Sequence, residues 1–326
     1  MNQALNFDDV ALVPELSVLA SRADADTSFT LTDGSPFSFK VPVTPANMRC
    51  SISENLAKML SENGYFYIMH RFDVDNYEFV KCANEEVWRF ISISTGVSQS
   101  DFEALNKIAN AGYRVDCITV DIAHGHCVSM QDLLPKLKEL FPRSHLIAGN
   151  VATPTAVRDL YSWGADVVKV GIGGGSVCST KLKTGFTWPM FSCVEGCVEH
   201  NPDVPVIADG GVQHNGDIVK SLVAGARCAM AGNMFVACKD SPARSIYPGP
   251  SSTLLTGYSK IYFGSASREN KGNAKNIEGF QTMITGNHMT YLEKLIEIQE
   301  DVSSGISYAG GKDLSCLPNV TYNIVK

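Results

Sequence analysis

The residues with the clearest chemical potential lie in GIGGGSVCST (171–180), where four glycines precede Cys178. Glycine lets the backbone turn freely and expose its polar groups, so the thiol sits on a loop rather than inside an element. A loop thiol is a candidate nucleophile in a way that Cys117 and Cys228, inside apolar runs, are not. Two more glycine-bearing loops follow: Asp209-Gly210-Gly211, and Gly232-Asn233. Such loops bring backbone N–H groups close to an anion, phosphate above all. The pair His124 and His126 offers a rival chemistry, since residues two apart on a strand point to one side and could bind a metal with Asp121 or Asp209. That pair falls past the end of its apolar run and has no clear third histidine partner. The ten cysteines include no C-x-x-C, and Cys193 and Cys197, four apart on an expected helix, are two ligands short of a zinc site; reduced thiols are expected.

Eight short apolar runs position these groups: 41–47, 65–70, 89–95, 117–123, 145–151, 167–173, 204–210 and 228–234. Helix-like stretches separate them, at 53–63, 101–112, 132–141, 153–164 and 216–226. Buried strands alternating with helices imply a parallel sheet, and eight such units are the number a (β/α)₈ barrel requires. Cys178 and both glycine loops then fall at the C-terminal ends of strands, on the face where barrel active sites form, and the loops after strands seven and eight are the usual phosphate site. A doubly wound dinucleotide fold is disfavoured, because GIGGGS has Ser176 where G-x-G-x-x-G needs its last glycine. One catalytic domain spanning 1–326 is expected, with a flap at about 239–289 showing little periodicity, a helix from 291 to 305 and a C-terminal tail at 305–326.

Twenty-seven Lys and Arg against 34 Asp and Glu give a net charge of −7, which argues against nucleic-acid binding but leaves small anionic ligands open. No apolar run approaches the roughly 18 residues of a membrane span, and MNQALNFDDV lacks the pattern of a signal peptide. A cytoplasmic protein is expected.

FDDVALVP (7–14), PANM (45–48), MHRF (69–72), VDIAHGH (120–126), IAGNV (147–151), KVGIGGGSVCSTKLKTG (169–185), ADGG (208–211), YFGSAS (262–267), KNIEG (275–279) and SYAGGKDL (307–314) follow one another along the chain. Together they resemble the inosine-monophosphate dehydrogenase / guanosine-monophosphate reductase family over nearly its whole length. Fewer than twenty residues join runs two and three, leaving no room for the regulatory domain that dehydrogenases insert, and SASRENKGNAKNIEG (265–279) has no Arg-Tyr pair of the kind they use to activate water. The resemblance therefore implies the reductase branch: GMP converted to IMP and ammonia with NADPH, in a homotetramer. It assigns catalysis to Cys178, Thr180 and Glu278. The substrate is assigned to Ser176, Asp209, Gly210, Gly211, Gly232, Asn233, Ser265, Ser267 and Lys275, and the cofactor to Thr95, Gly96 and Asp121. The carbonyls of Gly173, Gly175 and Cys178 match positions that hold potassium in relatives. The sequence departs from the family's usual pattern at Gly174, where proline is commoner, at FTWPM (186–190), which replaces Val-Gly-Tyr/Cys-Pro-Gln, and at Lys181, where arginine is commoner.

Overall fold

A computed structural model of the chain describes residues 4–247, 257–271 and 275–325. Parts of the expected flap, 248–256 and 272–274, and of the tail, residue 326, lie outside the described residues. Seven parallel strands curl into a barrel: β1 (Val43–Pro45), β2 (Ser92–Thr95), β3 (Cys117–Asp121), β4 (His145–Val151), β5 (Val167–Val170), β6 (Val206–Asp209) and β7 (Cys228–Ala231). They run in the order β1-β7-β6-β5-β4-β3-β2, every pairing parallel. The strand interiors are buried throughout, as near-continuous Val, Ile and Ala runs require when helices cover one face and the barrel core fills the other.

The eighth run, 65–70, closes the circle between β1 and β2 without becoming a laddered strand. All six residues are buried. Hydroxyls take the place of ladder bonds: Tyr67 donates to Phe90 O at 2.9 Å and accepts from Ser92 N at 3.3 Å, and the Ser94 hydroxyl takes the Met69 carbonyl. One backbone bond, Met69 N to Ser92 O at 3.3 Å, remains across the gap. The fold is thus a (β/α)₈ barrel whose second strand is replaced by an extended, side-chain-bridged segment.

Local sequence explains the helices between strands. Ser53, Ser98 and Thr153 accept hydrogen bonds from the first turns of the helices Glu54–Asn63, Gln99–Asn110 and Pro154–Ser162, satisfying N–H groups that no helical carbonyl reaches. A helix at Asn76–Glu85, capped by Asp75, was not foreseen, and the helix expected at 132–141 begins at Val128.

The flap differs from the expectation of little periodicity. Ser245–Ile246, Ser259–Phe263 and Gln281–Thr285 form a three-stranded antiparallel sheet. Its middle strand alternates, but the buried positions are Lys260 and Tyr262. The Lys260 ammonium donates to the carbonyls of Lys239, Ser241 and Ala243 at 3.3, 3.2 and 3.1 Å, tying the flap to the chain that leaves the barrel. After the helix Tyr291–Tyr308, the tail returns to the barrel and pairs Tyr322–Ile324 with Val10–Leu12.

Candidate active site

A cavity of about 650 Å³ opens where the C-terminal ends of the strands meet the flap, within the range that encloses a small-molecule ligand. Its wall brings together Asp121, Gly173, Gly175, Ser176, Cys178, Thr180, Asp209, Gly210, Gly211, Gly232, Asn233, Ser265 and Glu278. Four other residues singled out in the sequence stand elsewhere. Thr95 is buried at the end of β2, and Gly96 lies under the Asp101 carboxylate and the Arg71 guanidinium. Ser267 is buried with a hydroxyl that no described group bonds, and Lys275 is exposed on the flap.

The rim of the cavity is built from two segments far apart in sequence. Residues 177–179 pair with 278–280 as short antiparallel backbone: Ser179 N donates to Glu278 O at 2.8 Å and Phe280 N to Val177 O at 3.1 Å, bridging Cys178 and Gly279. Only glycine fits at 279, because a Cβ there would stand 2.9 Å from Ser267 N. The pairing sets three side chains in line. The Cys178 thiol donates to Thr180 Oγ1 at 3.2 Å, and that hydroxyl donates to Glu278 Oε2 at 2.7 Å. A thiol therefore communicates with a carboxylate through one hydroxyl, an arrangement that can move a proton from sulfur to oxygen and return it. Burial pushes the Cys117 and Cys228 thiols well up, and Cys238 to about 12, holding those thiols protonated.

The loops on the opposite side are pressed together. A Cβ at Gly210 would meet Gly174 C and Gly175 N at 3.0 Å, so the DGG loop and the cysteine loop touch through bare backbone. Gly210 and Gly211 take φ of 114° and 79°, which favour glycine. Met190 fills the space beneath, its Cε, Cγ and Cγ standing 3.0, 2.7 and 3.0 Å from the points where Gly171, Gly174 and Gly211 would carry a Cβ. Proline or alanine at 174 would displace Met190, so Gly174 and Met190 fit each other.

Sequence reasoning named Asp121 and Asp209 but passed over the residue that joins them on the floor. Lys169, on β5 and 2% exposed, places its ammonium 2.9 Å from Asp121 Oδ1 and 2.6 Å from Asp209 Oδ2. Asn150 completes the cluster: its Oδ1 accepts from Lys169, and its Nδ2 donates to Asp209 Oδ2 and Gly171 O, both at 2.8 Å. Burial alone would raise the Asp121 carboxyl; the charge and hydrogen bond of Lys169, with Arg71 and Asn47, outweigh it and hold the group below its ordinary value. Burial likewise opposes the Lys169 charge, but the two carboxylates raise its pKa and keep it an ammonium. A charged residue inside the otherwise apolar VVKV was the available signal.

The two histidines do not form a common site. His126 Nε2 lies 2.9 Å from Asp159 Oδ2 and its ring stacks on Trp163, while His124 is exposed. Among the described residues no group of three or more His, Cys, Asp or Glu side chains could hold a metal ion.

A parallel barrel with glycine loops after its last strands and a hydrogen-bonded thiol on its rim has the architecture of a barrel enzyme, with its candidate site at the C-terminal ends of the strands. The model of the IMP dehydrogenase / GMP reductase domain matches residues 4–323, and the chain belongs to that family. It is 42% identical to a GMP reductase of Mesoplasma florum over 99% of this chain and 98% of that protein. It is 43% identical to a GMP reductase of Lactococcus lactis subsp. lactis over 100% and 96%, and 42% identical to one of Variovorax paradoxus over 98% and 95%.

Proposed function

We propose that the chain is a GMP reductase, converting GMP to IMP and ammonia with NADPH through a covalent bond between Cys178 and C2 of the purine. The observation that carries this reading is the hydrogen-bonded line from Cys178 through Thr180 to Glu278. Passing the thiol proton to Thr180, and the Thr180 proton to Glu278, leaves a thiolate in the cavity and a carboxylic acid beside it. Sulfur bonds to C2. The bond from C2 to the exocyclic nitrogen breaks with its electron pair on nitrogen, which leaves as ammonia after receiving a proton from Glu278 through Thr180. A thioimidate on Cys178 remains. When bound, the reduced nicotinamide supplies the hydride that C2 requires. Cleavage of the C–S bond, with its electron pair returning to sulfur, yields IMP and frees the thiolate.

Ser176, the Gly210-Gly211 backbone and Gly232-Asn233 would hold the phosphate, Asp209 the ribose hydroxyls, and Ser265 the base. The assignment of Ser267 and Lys275 to the substrate stays part of this proposal, although both stand on the flap outside the cavity wall. On the other side, Arg71, Phe72, Asp121, Ile122 and Ala123 line the cavity. A guanidinium suits the cofactor's phosphates, the aromatic ring and apolar side chains suit a flat ring, and Asp121 accepts from an amide, so these groups fit a nicotinamide dinucleotide; Thr95 and Gly96 lie behind them. The carbonyls of Gly173, Gly175 and Cys178 are assigned to a potassium ion. Gly173 at φ 79° allows the turn this needs, and an ion there would share the Gly175 carbonyl with Cys178 N, which donates to it at 3.0 Å. We also take the enzyme to be a cytoplasmic homotetramer; exposed Leu16, Leu182 and Phe186 supply apolar contact surface, and sedimentation velocity tests it.

The assay is direct. With GMP and NADPH, the reduced cofactor's absorbance should fall while one ammonia forms per cofactor oxidised. With IMP and NAD, sustained formation of XMP should not occur, because residues 265–279 carry no Arg-Tyr pair to activate water. Sustained XMP formation would overturn the reductive assignment in favour of the dehydrogenase.

A further inference from the structure

We infer that Lys169 is a positioning residue that joins the substrate and cofactor sides of the cavity, fixing Asp121 and Asp209 through one ammonium. The inference rests on the ligand assignments above, which give Asp209 to the ribose and Asp121 to the cofactor. Both carboxylates contact the same buried nitrogen, at 2.9 and 2.6 Å, and Asn150 closes the cluster from the Asp209 side. Neither acid can change its orientation without altering a bond to Lys169. Two ligands that each hydrogen-bond one of these carboxylates therefore meet a floor held in one geometry before either arrives, which lowers the ordering each must impose.

The ammonium also decides the charge of the floor. Two carboxylates sharing a site, Asp121 buried and Asp209 partly exposed, raise each other's affinity for a proton, and the cation between them offsets that effect. The other charged or titratable groups facing the cluster are Arg71, whose Nε donates to Asp121 O at 3.2 Å and whose charge lowers the Asp121 carboxyl, and Tyr262, whose phenol burial keeps protonated. Neither of these side chains bonds Asp209. Without Lys169 the pair should bind a proton more readily, and a protonated acid is a poorer acceptor for ribose hydroxyls.

Two variants test this, each checked for folding by circular dichroism. For Lys169→Met, GMP affinity measured by calorimetry should fall at least tenfold at pH 6.5 and recover in large part by pH 8.5. The wild type serves as reference at each pH, since titration of the substrate phosphate is common to both. A side chain that merely fills space would give the same loss at every pH. For Lys169→Arg, which keeps the charge but cannot place it on the same point, the GMP Kd and the NADPH KM should both rise about fivefold without a new pH dependence, and kcat should change less. GMP affinity in Lys169→Met within twofold of wild type, or a loss that does not vary with pH, overturns the inference. So does a change in only one of the two constants in Lys169→Arg, which also decides the matter if the methionine variant does not fold. Wild-type protein that oxidises no NADPH with GMP would instead overturn the underlying assignment.

Discussion

The floor around Lys169 and the rim around Cys178 hold polar groups by different means. On the floor, a buried cation and two carboxylates stand on the ends of three strands, β3, β5 and β6, and charge fixes them. On the rim, a thiol on the glycine loop, a hydroxyl on the first residue of the short helix Thr180–Thr184 and a carboxylate on the flap stand half buried, joined by single hydrogen bonds and held by a few backbone pairs. The contrast separates two tasks. Binding gains from groups whose geometry is set beforehand, whereas a nucleophile must bond to its substrate, release it and exchange a proton at each turnover. If that division holds, substitutions on the rim should remove turnover and spare binding, and substitutions on the floor should do the reverse.

The largest effect expected is that of Cys178→Ala, which should abolish NADPH oxidation while leaving GMP affinity within about threefold, because phosphate and ribose contacts come from other loops. Calorimetry beside the absorbance assay checks both; residual turnover above a few per cent would remove the covalent mechanism. Smaller is the effect of Gly174→Ala. The added Cβ would fall 2.7 Å from Met190 Cγ, so the glycine cradle must shift, and GMP affinity should drop several-fold with kcat nearly unchanged. Adding Met190→Ala should restore part of that affinity, a coupling that a double-mutant cycle measures, although the cavity it leaves costs about 2–5 kcal/mol of stability. Smallest is Cys193→Ala. Its thiol is buried on the helix Met190–Glu199, away from the cavity, and its pKa is pushed up by its hydrogen bond with Cys197 and by burial. Rate should stay within about twofold and the melting temperature should fall by a few degrees.

The same contrast explains what the sequence disclosed. The rim was legible because its parts are short and continuous: glycines, Cys178 and Thr180 fall within ten residues, and the strand ends that carry them follow from apolar runs. The floor was legible only in part: Asp121 and Asp209 were expected at the site, but Lys169, which joins them, stands on a separate strand and meets them only when the barrel closes. Glu278 itself was reached through resemblance; its flap pairing has no periodic signature. The flap sheet hid for a related reason. Its inward positions are Lys260 and Tyr262, and three backbone carbonyls, not an apolar pattern, make a lysine acceptable there. The run 65–70 misled in the opposite direction: buried and apolar like a strand, it lost its ladder to the hydroxyls of Tyr67 and Ser94. The helix Asn76–Glu85 was missed because its buried residues are only Phe79, Val80 and Ala83, amid Asn, Glu and Lys.

The central claim, that the rim moves a proton between Cys178 and the departing amine through Thr180 and Glu278, is tested most directly by Glu278→Gln run from IMP and NADP in the presence of ammonium. Hydride transfer precedes ammonia addition in that direction and asks of residue 278 only that the Cys178 proton be taken up, which solvent does more slowly in the variant, so the burst slows but keeps its amplitude. The account predicts a burst of reduced cofactor of about one equivalent per site, with GMP formed by the wild type and not by the variant. A variant that forms GMP at the wild-type rate, or that loses the burst together with GMP formation, would contradict it.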